Sequence, residues 1–246
     1  LGLSIPRTLQ TFDLESAKEF LDTYKRVIVK PVDSRGSKGL TLNITNHEQL
    51  EEAISHASIN QHPHLIQEQF IGEEIRFTVL GGKVQSAILR RSPRVTGDGS
   101  NTVAQLIEAE NKVRETLVFP LLTYPQLSDA VIPKEYFTDT RIPANGEVVE
   151  LSNSTMIRGG ASFYGILNEV HESYIRLVEE LASKVSPAFL VVDLMVKQWK
   201  NPVQPTDYVF LEFNTDPGLV VYTSLRGGDT PDVIAKVADL LDTYAI

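Results

Sequence analysis

Leu14, Ala17, Phe20, Leu21 and Tyr24 recur at the three-and-four spacing of one helical face, and this spacing predicts a helix over 13–25 capped by Asp13. Arg26 to Lys30 then reads as a strand stopped by Pro31. Leu40 to Ile44 alternates apolar and polar like a returning strand. Asn46 to Ser58 sets Leu50, Ala53, Ile54 and Ala57 on one helical face, and His64 to Phe70 is a third strand. The clearest hairpin joins Ile75–Leu80 to Lys83–Leu89 through Gly81-Gly82, because a two-glycine turn meets the positive-φ demand of the tight primed turns. Thr102 to Asn111 is predicted as a helix capped near Ser100 to Thr102, and Val170 to Val185 as a long amphipathic one. Strands over 189–197 and 207–213 flank a polar loop, and Thr230 to Tyr244 closes the chain as a helix. Residues 112–165 show little periodicity and read as loop-rich. Hairpins in both halves with helices between them make the fold class α+β with antiparallel sheet.

Three oxygen-bearing side chains fall on the paired strands near the C-terminal end. Glu212 and Asn214 sit two apart and project from one face, Phe213 points to the other, and Asp193 lies on the preceding strand. Two carboxylates and one amide oxygen suit Mg²⁺, a hard cation that keeps waters and phosphate oxygens as its remaining ligands. Solvated charges at strand ends are the ordinary alternative. Neither a Walker-type loop nor a dinucleotide glycine fingerprint is present, so a phosphate would have to be held differently. Residues 34–39 offer backbone amides from Gly36, Ser37 and Gly39 with donors from Ser34, Ser37 and Lys38, which suits a flap over a polyphosphate or, equally, a solvated basic turn. Lys30 closes an apolar strand, where an inward ammonium calls for an anionic partner such as phosphate. In Glu68-Gln69-Phe70-Ile71, Glu68 could accept from an adenine amine while Phe70 and Ile71 supply apolar surface, with Glu74 placed for ribose hydroxyls. Ordinary strand charges and core are the other reading of these positions.

Composition narrows the classes. At 246 residues and 42% hydrophobic content the chain can bury a substantial core in two lobes, and no apolar run is long enough for a membrane span. Its N-terminus lacks the pattern of a signal peptide. The absence of cysteine excludes disulfides, thiolate metal sites and a cysteine nucleophile, and fits a reducing cytoplasm. A formal charge of −9 disfavours a nucleic-acid surface and leaves small-molecule substrates open.

Taken in order, Lys30-Pro31, the glycine-bearing loop, Glu68-x-Phe70-Ile71-x-Gly72-Glu73-Glu74 and Asp193 with Glu212-x-Asn214 resemble the ATP-grasp superfamily. Within it, Arg90-Arg91-Ser92-Pro93-Arg94-Val95-Thr96-Gly97-Asp98-Gly99, followed by Gly146-x-Val148-Val149-x-Leu151 and Arg158-Gly159-Gly160, is similar to the branch holding cyanophycin synthetases and the ATP-grasp half of bifunctional glutathione synthetases. The resemblance implies two lobes, each an antiparallel sheet packed by helices, with the nucleotide between them. It divides the chain into a small lobe over 1–70, N-terminally incomplete, and a large lobe over 71–246 with the metal site and a lid-like insertion over 97–165.

It further implies an ATP-dependent carboxylate–amine ligase that works through an acyl phosphate and releases ADP and phosphate. Lys30, Gly36, Ser37, Lys38, Gly39, Glu68, Gln69, Phe70, Ile71 and Glu74 would then bind ATP. Asp193, Glu212 and Asn214 would hold one or two Mg²⁺ ions, with Mn²⁺ as an alternative, and Arg91 and Arg158 would brace the acyl phosphate and the oxyanion. A nucleotide-binding regulatory domain without catalysis, and a kinase, stay open as alternatives. The partners implied are a small carboxylate and an amine, with no nucleic acid and no membrane, in a longer chain that leaves homo-oligomerisation open. Relatives carry Ser-Thr-Gly-Gly where this chain has Ile157-Arg158-Gly159-Gly160, and they run from the metal asparagine directly into proline where this chain inserts Thr215 and Asp216.

Overall fold

The computed structural model describes residues 2–32, 39–57, 64–117, 124–185, 187–215, 218–223, 225–229 and 232–243. The chain divides into two compact units, one over residues 3–71 and one over 72–246 that also takes the first two residues.

In the first unit, β1 (Thr8–Thr11), β2 (Val27–Pro31), β3 (Thr41–Ile44) and β4 (His64–Glu68) form an antiparallel sheet in the order β1-β4-β2-β3. Two helices, α1 (Leu14–Tyr24) and α2 (His47–Ala57), cover one face. Asp13 caps α1 as predicted, its carboxylate accepting from the Ser16 amide at 2.9 Å. The sheet's alternation decides what is buried: Val27 and Val29 join Ala17, Leu21, Leu50, Ala53 and Ile66 in the core, while Ile28 and Lys30 look away from the helices. The apolar pattern did not reveal β1, whose Thr-Leu-Gln-Thr offers a single apolar side chain and owes its conformation to pairing with β4.

The second unit is built on an antiparallel sheet in the order β11-β10-β5-β6-β9, formed by β5 (Glu73–Leu80), β6 (Lys83–Arg91), β9 (Ser162–Gly165), β10 (Phe189–Val196) and β11 (Tyr208–Asn214). Gly81 and Gly82 both take positive φ, as the predicted turn between β5 and β6 requires. One face of the sheet packs Ile75, Phe77, Leu89, Val192 and Leu194 against Tyr174 and Val178 of α4 (Glu172–Val185). The other packs Ile88, Phe163 and Leu80 against Tyr222 and against Val233 and Val237 of α5 (Val233–Asp242). A separate small core gathers Val95, Val103, Ile107, Leu127, Ile132, Val149 and Leu151 between the β7 (Arg94–Thr96) and β8 (Val148–Glu150) pair and α3 (Val103–Thr116). Thr102 and Gln105 close a capping box at the start of α3, which runs beyond the predicted Asn111.

β9 lies inside the stretch that reads as loop-rich. Its four residues carry too little pattern to register, and it is completed from outside: Arg226 donates its amide to Phe163, Gly165 to Gly227, and Asp229 to Gly165. Residues 226–229 thereby cover the edge of the sheet. Gly165 and Gly228 bridge in parallel, and a Cβ built on Gly165 would overlap the Asp229 carbonyl. Gly165→Ala is therefore expected to destabilise the chain by about 1–3 kcal/mol in chemical denaturation. Gly82→Ala, where nothing lies within 4 Å, should cost only the positive-φ penalty of about 1 kcal/mol.

Candidate metal and phosphoryl site

The side chains of interest in the second unit follow from strand register. Asp193 on β10 faces Arg76 of β5 on one side and Glu212 of β11 on the other. Glu74 faces Arg90 across β5 and β6, and Asn214 lies one pleat beyond Glu212. With a period of two, Glu74, Arg76, Arg90, Asp193, Glu212 and Asn214 share one face, the face that also carries Thr78 and Tyr222. Arg76 pairs with Asp193: Nε donates to Oδ1 at 2.9 Å and Nη2 to Oδ2 at 2.6 Å.

Asp193 is 1% exposed, and that guanidinium is its nearest counter-charge. Burial alone would lower the Arg76 pKa; the hydrogen bonds and charge of Asp193 outweigh burial and raise it. Arg90 stands 3.8 Å from Asp193, pairs with Glu74, and donates to the Thr155 carbonyl at 2.9 and 3.2 Å. Burial raises the Glu74 pKa against the pull of Arg90. Partial burial, then the charge and hydrogen bonding of Asp193, raise the Glu212 pKa. The Tyr222 hydroxyl, 2.6 Å from the Thr78 hydroxyl, pins the segment that follows β11 back onto this face, and burial raises its pKa.

Three carboxylates thus meet two guanidinium groups on this face, and the surplus negative charge falls on the Asp193–Glu212 pair. Like charges on adjacent strands with hard oxygen donors fit a divalent cation. The two Arg76 bonds leave each Asp193 oxygen a second lone pair, and Glu212 keeps an exposed surface. Among the described residues no group of three or more His, Cys, Asp or Glu is placed to hold a metal ion.

The other predicted residues are placed as follows. Arg91 points to the opposite face of the sheet, 3.5 Å from Glu73 and with its guanidinium 5.5 Å from the centre of the Tyr164 ring, so the structure does not bring it to Asp193 and Glu212. Arg158 is exposed on a short 3-10 turn, Ile157–Gly159. Glu74 is engaged by Arg90. In the first unit, Lys30 is half-buried and opposite Leu65. Glu68 and Ile71 are exposed and Phe70 is half-buried. The Gln69 side chain holds both the amide and the side chain of Asn43, at 2.7 and 3.0 Å, where Asn43 takes a positive φ. Gly39 also has a positive φ, and a Cβ there would come within 2.9 Å of Pro31, which gives that glycine a structural reason. Gly36, Ser37 and Lys38, like Asp216, lie outside the described residues. Sequence reasoning missed the roles of Arg90, Thr78 and Tyr222 here, which appear only once the register is known.

Fold and sequence comparisons agree on the class. Residues 2–117 match the family described as prokaryotic glutathione synthetase, ATP-grasp domain. The bifunctional glutathione synthetase of Pasteurella multocida superposes over 99% of this chain and 35% of its own with a TM-score of 0.65 and 24% identity. The chain has the ATP-grasp fold. In sequence it is similar to cyanophycin synthetase of Trichormus variabilis, 25% identical over 98% of this chain and 27% of that protein. It is likewise similar to the glutathione biosynthesis bifunctional protein of P. multocida, 24% identical over 98% of this chain and 33% of that one. The chain thus spans about a quarter to a third of the length of these relatives. Among the described residues no helix is long and apolar enough to cross a membrane.

Arg76→Leu strands a buried carboxylate and should cost about 3–5 kcal/mol in denaturant unfolding. Protons compete with a divalent cation for Glu212, and because its pKa is raised the competition starts above the ordinary carboxylate range. The rise in Tm produced by Mg²⁺ should therefore be larger at pH 7 than at pH 5 in thermal unfolding.

Proposed function

We propose that this chain is the ATP-grasp module of an ATP-dependent carboxylate–amine ligase, with residues 3–71 and 72–246 serving as its small and large lobes. The observation that carries this reading is the Asp193–Glu212 pair with Asn214 on the same sheet face, inside a fold whose relatives include ligases. In the reaction a substrate carboxylate oxygen takes the γ-phosphoryl group of ATP, giving an acyl phosphate and ADP. An amine nitrogen then attacks the acyl carbon, phosphate leaves with the C–O bond electrons, and the nitrogen gives up a proton. Bound Mg²⁺ would neutralise charge on the phosphates as the phosphoryl group moves.

This chain's residues would serve that chemistry in distinct ways. Asp193, Glu212 and Asn214 supply oxygen ligands. Arg76 pairs with Asp193 through two hydrogen bonds and fixes its plane, and Arg90 holds Glu74 and the Thr155 carbonyl, setting the segment that leads to Arg158. Lys30, Gly39 and the 68–71 segment are assigned to the nucleotide on their order along the chain, together with Gly36, Ser37 and Lys38.

The test is ADP release from the full-length protein that contains this chain, offered carboxylates and amines singly and in pairs. A ligase releases ADP steadily only with both, and hydroxylamine converts its acyl phosphate into a hydroxamate. Glu212→Ala should lower the rate by at least about a hundredfold while the fold is retained by circular dichroism. Product phosphorylated on a hydroxyl with no hydroxamate would make the protein a kinase, and ATP binding without turnover on any pair would sink the ligase reading.

A further inference from the structure

Beyond Asn214 the chain crosses the large sheet from one edge to the other, on the face that carries Asp193. It departs from β11, an edge strand. Leu219, Tyr222 and Leu225 pack with Ile88 and Phe163 on that face, and residues 226–229 lie along β9 at the far edge. The chain is fastened there by side chains as well. Arg226 donates to both oxygens of Glu110, a carboxylate that Arg114 of α3 also holds at 2.7 Å, and Asp229 accepts from the Asn168 amide at 2.5 Å. Midway across, the Tyr222 hydroxyl meets the Thr78 hydroxyl of β5 at 2.6 Å.

The place of that bond follows from strand register. Thr78 and Asn214 both pair with Val191, one from each side of β10, so the three stand at one level of the sheet. With strands about 4.8 Å apart, Thr78 lies about 10 Å from Asn214. Tyr222 therefore returns the chain to the level from which it left β11. Arg76 and Asp193 stand one pleat away, near enough for their charges to act on the Tyr222 hydroxyl and for the phenol to act on Arg76. Apolar packing accounts for the Tyr222 ring, and it does not account for the hydroxyl. Replacing two bonded hydroxyls by apolar groups of the same shape can be nearly neutral in stability, so a buried pair of this kind is not required for burial itself. What it adds is direction, because a hydrogen bond fixes the tip of the ring to one point on β5.

We propose that Tyr222 is a positioning residue for the metal site: its bond to Thr78 fixes the direction in which the chain leaves β11, and with it the placement of Asn214 beside Glu212. Asn214 is the last residue of an edge strand, so among the described residues the ladder holds it from one side only. Its placement depends on where the chain goes next. Tyr222 acts through Asn214 and meets neither metal nor substrate. The proposal rests on the reading of Asp193, Glu212 and Asn214 as metal ligands.

The experiment is a titration of the full-length protein with Mn²⁺, the free ion being followed by electron paramagnetic resonance, with Tm measured on the same samples. Saturable binding is expected in the wild type and its loss in Glu212→Ala. Tyr222→Phe and Thr78→Val each delete one hydroxyl while keeping the shape of the side chain, and each should weaken Mn²⁺ binding roughly tenfold. Thr78→Ser keeps the hydroxyl and should bind as the wild type does. The double variant Tyr222→Phe with Thr78→Val should bind no more weakly than either single one, because the same bond is lost in all three. If Thr78→Val does not fold, Tyr222→Phe decides. An unchanged Mn²⁺ affinity in Tyr222→Phe, with or without a lowered Tm, makes the bond purely structural and overturns the proposal, as do additive losses in the double variant. Absence of any Glu212-dependent Mn²⁺ binding in the wild type overturns the metal reading and the proposal together. No turnover enters this titration, so a protein that binds Mn²⁺ as expected and releases no ADP overturns only the ligase reading.

Discussion

The Arg76–Asp193 pair is the constraint on which the candidate site depends. Asp193 sits in the middle of β10, an interior strand of the sheet, where a buried carboxylate calls for a cation at hydrogen-bond distance. Arg76 is the cross-strand residue at that level, so the register of β5 against β10 and the charge of Asp193 hold each other in place. A slip of one residue would put Arg76 on the other face and set Ile75 or Phe77 beside the carboxylate. Two features of the site follow from that register: the like-charge contact between Asp193 and Glu212, and the raised Glu212 pKa.

Much of this was legible in the chain. Helix α1 with its Asp13 cap and the Gly81-Gly82 hairpin announce themselves through local chemistry, and Glu212 and Asn214 stand two apart on a strand, which places them on one face. What escaped depends on long-range pairing. β1 and β9 are short strands, and each owes its conformation to a partner far along the sequence. The roles of Arg90 and Arg91 escaped for the same reason. Adjacent arginines on a strand must point to opposite faces, but which face carries Asp193 and Glu212 is decided by β10, about a hundred residues away. The family resemblance assigned the oxyanion to Arg91. The register brings Arg90 to the Asp193 face and leaves Arg91 over Tyr164.

The same logic separates structural from chemical uses of polar residues. Gln69 and Gly39 fit a nucleotide-binding pattern by position, yet each has a local duty: Gln69 brackets the left-handed Asn43, and Gly39 lets the chain pass Pro31. Glu74 fits a ribose contact by position and lies buried against Arg90. A polar residue whose hydrogen bonds are accounted for within the fold needs no ligand to explain it. Glu212 is different, because burial and a neighbouring like charge work against its ionised form.

The neighbouring pairs Glu73-Glu74 and Arg90-Arg91 draw these threads together. β5 and β6 are antiparallel with Glu74 opposite Arg90, so Glu73 meets Arg91 on the far face, and a run of two acidic and two basic residues becomes one ion pair on each side of the sheet. The two pairs are each neutral, and the surplus on each face therefore comes from other strands. β10 and β11 add two carboxylates against the single Arg76 on one face, leaving it negative. α3 and the segment covering β9 add two arginines against the single Glu110 on the other, leaving it positive. A single sheet thus separates a negatively charged face from a positively charged one through its pleat alone. Because the pleat has a period of two, neither surface can change its sign by a shift in register without the other changing as well.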